Sequence, residues 1–135
     1  MAWFIDTSAL YSLMDTDDEC HAVSVAVWNQ LRAAASRFIT TNYVIVETFT
    51  LLQRRSGIAA AKAFAEDIAP LLEIEWINNE IHDAALIAVL AANRRELSLV
   101  DCVSFAVMHR RGLRQVFTLD AHFRDHGFEC LPEAK

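Results

Sequence analysis

The sequence is poor in the residues that form loops, disulfide bonds and zinc sites. Its 135 residues include three glycines, two prolines and three cysteines. An odd number of cysteines without C-x-x-C spacing argues against a disulfide framework and against a zinc site. We therefore expect reduced thiols and a cytoplasmic protein. With 54% hydrophobic residues, the composition indicates a compact core and excludes a disordered or fibrous chain.

Long hydrophobic runs are also missing. No apolar stretch reaches the length of about 20 residues that a membrane span requires. The apolar stretch at the N-terminus has no basic region before it, so no secretory signal is visible. The length predicts a single domain over residues 1–135.

Lysine is nearly absent, and arginine carries almost all of the positive charge. Lys62 and Lys135 are the two lysines, and the net charge is −6. That charge argues against a nucleic-acid partner, because phosphates prefer basic surfaces. The arginines nevertheless cluster in pairs, and guanidinium groups bind phosphate with two parallel hydrogen bonds. The pairs are Arg54–Arg55, Arg94–Arg95 and Arg110–Arg111. Such pairs are equally typical of the solvated last turns of helices.

Apolar patterns predict strands that alternate with helices along the whole chain. Such alternation implies parallel pairing and a three-layer α/β/α sandwich with a central parallel sheet. The expected strands cover residues 3–5, 37–41, 71–77, 115–119 and 128–131. The expected helices cover residues 7–14, 20–35, 42–53, 58–69, 79–95, 99–111 and 121–126. Candidate helix caps are Thr7 or Ser8, Thr16 or Asp17, and Asn78 or Asn79.

Four acidic residues interrupt apolar surroundings close to predicted strand ends. Asp6 follows the first strand and Asp120 follows a late one. Glu47 and Asp101 lie early in the helices that follow. Open α/β sheets place their ligand sites at the carboxyl ends of their strands. Carboxylates that converge there stay ionised only beside a cation, and all-oxygen ligands favour magnesium or manganese. Such a site can activate water to attack a phosphodiester.

Each of these acids also has a structural interpretation. Asp101 with Ser98 fits a capping box, and Asp120 suits the cap of a short helix. Glu47 can extend from a helix flank into solvent. Asp6 is the hardest to explain structurally, because a carboxylate after a buried strand needs a cation or hydrogen-bond donors.

Histidines and tryptophans are expected to have structural roles. His122 and His126 have the i, i+4 spacing of metal ligands, but no H-E-x-x-H motif surrounds them. We therefore expect surface or structural positions for both. The three tryptophans fall in apolar patterns and are expected in the core rather than as platforms for stacking bases; they are Trp3, Trp28 and Trp76.

The ordered set of motifs resembles the PIN-domain ribonucleases, and in size it is similar to the VapC-type toxins of toxin–antitoxin pairs. The first motif is F-I-D-T-S-A-L at residues 4–10, and T-T-N at residues 40–42 precedes the Val46–Glu47 pair. L-S-L-V-D follows at residues 97–101, then F-T-L-D-A-H-F at residues 117–123 with Gly127–Phe128. The resemblance covers essentially the whole chain.

The resemblance implies an acidic site that binds Mg²⁺ or Mn²⁺ and hydrolyses RNA phosphodiesters with water. Its metal ligands and catalytic residues would be Asp6, Glu47, Asp101 and Asp120, with Asp125 as a weaker substitute for Asp120. Supporting hydroxyls would come from Thr7 or Ser8 and from Ser98 or Thr118. It also implies a homodimer and a small antitoxin whose tail occupies the groove. Expected RNA phosphate contacts are Arg94 or Arg95 and Arg110 or Arg111.

Three alternative functions can be tested against the residues that each of them requires. A haloacid-dehalogenase-like phosphatase needs a second aspartate two positions after Asp6, where this chain has Ser8. A receiver-type signalling domain needs a lysine after a late strand, and neither Lys62 nor Lys135 lies there. A degenerate PIN fold that only binds RNA or protein is disfavoured because all four acids are present. Transfer, ribosomal and messenger RNA are all compatible substrates.

Overall fold

The protein is built on a central sheet of parallel strands. The computed structural model describes residues 1–133. In this part of the chain every strand pairing is parallel, and the order across the sheet is β3-β2-β1-β4-β5. The predicted α/β/α architecture with a parallel sheet is therefore confirmed. The strands are β1 Ala2–Ile5, β2 Arg37–Thr41, β3 Glu73–Glu75, β4 Gln115–Phe117 and β5 Glu129–Leu131.

The first strand lies in the middle of the sheet. Phe4 of β1 faces Ile39 of β2 on one side and Val116 of β4 on the other. All three side chains are buried, as expected for a parallel strand that is covered on both faces. Asp6, the residue that follows β1, is therefore delivered to the carboxyl edge of the sheet between two neighbouring strands.

Helices connect the strands, and several begin with the cap that the sequence predicts. Asn78 accepts a hydrogen bond from the Ile81 N–H at 2.9 Å. Gly112 ends a helix in the left-handed conformation with φ 67°. No helix of residues 1–133 is long and apolar enough to cross a bilayer. The helices are α1 Thr7–Met14, α2 His21–Ala33, α3 Asn42–Arg55, α4 Ile58–Ala63, α5 Asn79–Ala92, α6 Leu99–Arg111 and α7 Ala121–Asp125.

Two predicted caps are wrong. Asp6, not Thr7 or Ser8, occupies the cap position of α1, and its side chain makes no capping hydrogen bond. Its carboxylate instead faces the hydroxyls at the edge of the sheet. α2 begins after Cys20 rather than at an earlier Thr or Asp, and Asp18 accepts the Cys20 N–H at 2.8 Å.

Two predicted helices end earlier than expected. The α-helix expected over residues 58–69 ends at Ala63. The chain then forms a π-helical turn, Phe64–Ile68, and a 3₁₀ turn, Ala69–Leu71. Pro70 accounts for the break, because proline lacks an N–H and its ring clashes with the preceding turn. The helix expected to reach residue 95 stops at Asn93, whose left-handed φ of 50° is tolerated by asparagine.

The tryptophans do not all lie in the core. Trp3 is buried, and Trp28 stacks on Phe38 with ring centres 4.6 Å apart. Trp76 is 74% exposed, so the prediction of a core position is wrong for this residue. It follows β3, a short strand at the edge of the sheet, beyond which residues 1–133 form no further strand.

An aromatic cluster fixes α7 against the sheet. Phe123 of α7 is fully buried, and its ring centre lies 6.4 Å from Phe4 and 4.9 Å from Phe105. Phe128 packs on Phe105 from the far end of the same segment, with ring centres 5.9 Å apart. Because Phe123 anchors α7 in this cluster, Asp120 at the start of the helix has a defined position beside β1.

Candidate active site

A cleft of about 450 Å³ opens at the carboxyl edge of the sheet. It is bordered by the start of α1, by the loop after β4, by one face of α3 from its second turn to its last, and by the first turn of α6. Parallel strands bring these segments together although they are far apart in the sequence. All four predicted acids line the cleft: Asp6, Glu47, Asp101 and Asp120.

Asp6 is the most deeply buried of the four. Its residue is 3% exposed. Ser8 Oγ donates a hydrogen bond to Oδ2 at 2.9 Å, and Thr118 Oγ1 donates to the same oxygen at 3.0 Å. Burial raises the pKa of Asp6 to about 6, the two hydroxyls oppose that rise, and nearby Asp101 adds to it. The site thus holds Asp6 as a carboxylate that gains from a nearby cation.

The hydroxyls around Asp6 also join β1 to the loop after β4. Ser8 Oγ accepts a hydrogen bond from the Leu119 N–H at 2.9 Å. Thr118 Oγ1 accepts one from the Asp120 N–H at 2.9 Å. Ser8 and Thr118, two of the predicted supporting residues, therefore bond the Asp6 carboxylate and also the backbone segment that carries Asp120. Thr7, by contrast, has a buried Oγ1 with no hydrogen-bond partner among the described residues.

Asp101 is held by the capping box of α6. Its Oδ2 accepts the Ser98 N–H at 3.1 Å, and Ser98 Oγ accepts the Asp101 N–H at 3.0 Å. The structural interpretation of this motif is therefore correct, and the same contacts fix the carboxylate at the cleft. Burial raises the pKa of Asp101, and the charge of Asp120 acts in the same direction.

Asp120 caps α7 and faces a histidine. Its Oδ1 accepts the His122 N–H at 2.9 Å. The Nδ1 atom of His122 lies 2.9 Å from Asp120 Oδ1 and 3.8 Å from Asp101 Oδ2. Despite these short distances, the directions are not those of a hydrogen bond, and Nδ1 is buried without a partner. The distances report proximity only, and we regard Nδ1 as unsatisfied.

His122 was expected at the surface or in a structural position, and the structure places it among the acids. One ligand atom from each of Asp101, Asp120 and His122 lies within 4.8 Å of the others. The D-x-H spacing at residues 120–122 is the sequence signal for this contact. His126 matches its expectation, because it is exposed and stacks on Phe105 with ring centres 4.1 Å apart.

Glu47 reaches the cleft from α3. It is half-buried in the second turn of that helix and lies outside the cluster formed by Asp101, Asp120 and His122. Glu47 makes no ion pair with any residue of the described part of the chain. A half-buried carboxylate without a partner is available to an incoming group.

The donor set at the cleft fits a divalent metal ion. Asp6 and Asp101 are carboxylates with raised pKa values, so each gains from a nearby cation. The unsatisfied Nδ1 of His122 faces carboxylate oxygens, an arrangement that a shared cation would relieve. Carboxylate oxygens suit hard ions such as Mg²⁺ and Mn²⁺, whereas an imidazole ligand suits transition-metal ions better.

None of the four arginines predicted to contact RNA lines this cleft. Arg94 and Arg95 are exposed, and Arg94 pairs with Glu96 at 3.0 Å. Arg110 and Arg111 end α6, about 14 Å along the helix axis from its first turn. A different arginine, Arg55 of α3, lines the cleft instead. The sequence shows Arg55 as part of the Arg54–Arg55 pair, but nothing in the sequence indicates that this pair, rather than another, faces the cleft.

Comparison with known proteins agrees with this geometry. A sequence profile described as "PIN domain" matches residues 3–129. The chain belongs to the PIN-domain family. This PIN domain is 33% identical over 132 residues to the 23S rRNA-specific endonuclease VapC20 of Mycobacterium tuberculosis, in strains CDC 1551 / Oshkosh and H37Rv. The alignment covers 96% of this chain and 98% of that protein.

Solved structures show the same fold. The crystal structure of M. tuberculosis VapC20, described as a sarcin–ricin loop cleaving toxin, superposes on this PIN domain with a TM-score of 0.82 and 30% identity. It covers 95% of this chain and 96% of the other. VapBC2 from Rickettsia felis, bound to a DNA fragment from its promoter, has a TM-score of 0.70 at 9% identity and covers 96% and 97% of the two chains. That second likeness concerns the fold alone.

Proposed function

We propose that this protein is a metal-dependent endoribonuclease and that residues 1–135 act as one nuclease domain. The observation that carries the proposal is the convergence of Asp6, Asp101 and Asp120 on one cleft, where burial raises the pKa of the first two. Acids so placed cost stability unless they bind a cation. The four proposed ligands and catalytic residues are Asp6, Glu47, Asp101 and Asp120.

The protein's own groups have distinct tasks in this proposal. A bound Mg²⁺ or Mn²⁺ supplies an activated water and neutralises charge on the phosphate. Ser8 and Thr118 hold Asp6 in one orientation by donating to a single oxygen, which leaves the other carboxylate oxygen for the ion. The capping box does the same for Asp101. His122 would add a fifth ligand through Nδ1, since that atom has no hydrogen-bond partner among the described residues.

The proposed substrate is structured ribosomal RNA. The relative that is one-third identical over nearly the full length is described as specific for 23S rRNA, and its structure as that of a sarcin–ricin loop cleaving toxin. Sequence-specific recognition of RNA mostly targets single-stranded loops, because their unstacked bases are accessible to protein. A ribosomal substrate places the proposed activity in the cytoplasm.

The test is cleavage of a labelled sarcin–ricin hairpin and of intact ribosomes by the purified protein. We expect cleavage with Mg²⁺ or Mn²⁺, none with a chelator, and none with Glu47→Gln. Glu66→Gln is the matched control, because Glu66 is exposed and does not line the cleft. Cleavage by Glu47→Gln at the wild-type rate would overturn the proposed site. A wild-type protein that cuts neither substrate with either metal would overturn the proposed activity.

We further propose a toxin role with two protein partners: a small antitoxin that occupies the cleft, and a second copy of this chain. The dimer surface is an apolar patch between α3 and α5. The Tyr43 hydroxyl contacts His82 Nδ1 and so joins the two helices. The next turns expose Val46 at 63%, Ile87 at 69% and Leu90 at 70%. Exposed apolar side chains on neighbouring helices are candidates for an interaction surface.

The dimer is tested by sedimentation of the wild type and of Ile87→Glu. We expect a dimer for the wild type and a monomer for the variant, because a buried charge at the interface lacks a partner. Ile58→Glu is the control, since Ile58 is exposed to a similar extent, 63% against 69% for Ile87, but lies on α4. A monomeric wild type at micromolar concentration would contradict the proposed dimer.

A further inference from the structure

The cleft is strongly acidic and contains one basic side chain. Seven of its lining residues are Asp or Glu, and Arg55 is the only Lys or Arg among the described residues that line it. An RNA strand carries a negative charge at each phosphate, so this surface repels the strand away from any metal ion. A cation of the protein inside the cleft is therefore the natural contact for RNA beyond the reacting phosphate.

Arg55 shares a helix face with the proposed catalytic Glu47. The two residues are eight positions apart on α3, with Leu51 midway, and all three line the cleft. Residues at i, i+4 and i+8 lie on the same side of an α-helix, and eight residues span about 12 Å along its axis. Arg55 thus lies about 12 Å along α3 from Glu47, one of the proposed metal ligands.

The side chain of Arg55 is held by an aromatic ring. Its guanidinium carbon lies 5.5 Å from the centre of the Tyr11 ring. The Tyr11 hydroxyl donates a hydrogen bond to Asp15 Oδ2 at 2.8 Å, which fixes the ring at the end of α1. Arg55 forms no ion pair with any residue between 1 and 133. Its N–H groups are consequently free to bind an incoming anion.

We propose that Arg55, held over the Tyr11 ring, binds a phosphate that flanks the cleaved phosphodiester. The inference rests on the proposed RNA cleavage and names a residue that sets substrate affinity. Tyr11 is a positioning residue, because it acts through Arg55. A stacked guanidinium is already oriented, so less conformational entropy is lost when it binds phosphate.

The test compares Arg55→Gln with Arg54→Gln on the labelled sarcin–ricin hairpin. Arg54 is the matched control because it lies in the same last turn of α3, is exposed, and does not line the cleft. We expect Arg55→Gln to raise KM about tenfold, the size of one charged hydrogen bond, with kcat nearly unchanged. Arg54→Gln should leave both constants at the wild-type values. Tyr11→Leu should raise KM in the same direction, because the ring that orients Arg55 is lost.

RNA binding separates this inference from the nuclease proposal. In a Glu47→Gln background, hairpin affinity is measured from low to moderate salt. Loss of one phosphate contact should reduce the slope of log K against log salt by about 0.7 to 0.9. Equal slopes and equal KM values for Arg55→Gln and Arg54→Gln would overturn the role of Arg55. A reduced slope in a protein whose wild type does not cut would support Arg55 and overturn the nuclease.

Unfolding measurements complete the comparison. We expect Arg55→Gln to unfold at the same urea concentration as Arg54→Gln, since both side chains are exposed. A rise in KM that follows a lower folded fraction would make Arg55 a structural residue and overturn the proposal.

Discussion

Replacing Asp6 by asparagine should stabilise the protein when no metal is bound. Asparagine has nearly the same shape, and its carbonyl oxygen can accept the two hydroxyl hydrogen bonds that Ser8 and Thr118 donate to Asp6. What it removes is a charge in a residue that is 3% exposed. The variant should be inactive, because the proposed metal loses a ligand, so stability and activity are expected to change in opposite directions.

The magnitude follows from the pKa of Asp6. Its pKa is about 6 in the folded protein against an ordinary value of 3.8. The folded state therefore binds a proton more tightly than the unfolded state, and stability falls as the pH rises from 4 to 6. A difference of about 2 pH units corresponds to about 3 kcal/mol of unfolding free energy at pH 8. For a chain of this length, that is a rise in Tm of about 10 °C.

The assay is urea unfolding of the wild type and of Asp6→Asn in a chelator, at pH 8 and at pH 4.5. We expect the variant to be more stable by up to about 3 kcal/mol at pH 8 and by about 1 kcal/mol at pH 4.5, where the wild-type carboxyl is largely protonated in the folded state. Asp67→Asn is the control: because Asp67 is exposed, this variant should unfold at the wild-type urea concentration at both pH values.

Equal unfolding free energies for the wild type and Asp6→Asn at pH 8 would refute the reasoning. That result would mean that Asp6 ionises without cost in the folded protein. Burial would then not disfavour the ionised carboxylate, and Asp6 would not need a bound cation to stay ionised.

Three further outcomes are expected. Mg²⁺ at a hundredfold excess over its dissociation constant should stabilise the wild type by about 2.7 kcal/mol, and calorimetry should show little of this in Asp120→Asn. Ser98→Ala should cost about 1 kcal/mol in urea unfolding, since it removes the cap of α6, and activity should fall because Asp101 is released. Phe123→Ala should cost about 3 to 5 kcal/mol as a fully buried aromatic, whereas Trp76→Ala, at an exposed site, should change stability little.

Much of the fold could be predicted because its signals are local. The apolar run before Asp6 predicts a buried strand, and α1, β2 and α6 have the bounds expected from periodicity and caps. The errors also have local causes. The alanine-rich pattern predicts one α-helix up to Pro70, but the chain changes to a π-helical turn after Ala63, and Asn93 ends another helix in the left-handed conformation. Trp76 was misplaced because exposure depends on which strand lies at the edge of the sheet.

The acids of the candidate site and the hydroxyls of Ser8, Ser98 and Thr118 were predictable, whereas His122 and Arg55 were not. A carboxylate after a buried strand needs a partner, and that rule applies to Asp6 without any knowledge of the fold. His122 was missed because the relevant contact, 2.9 Å from Nδ1 to Asp120 Oδ1, depends on how α7 begins. Arg55 was missed because nothing in the sequence shows which arginine pair faces the cleft.

The sequence by itself determined the parallel α/β architecture, the acidic chemistry and the family resemblance, because periodicity, caps and motif order are properties of neighbouring residues. Tertiary structure decided which groups meet. The strand order places β1 between β2 and β4, and that order brings residues 6, 47, 101 and 120 to one edge. It also decided their energies, since the rise in the pKa of Asp6 comes first from burial, which only the packed chain provides.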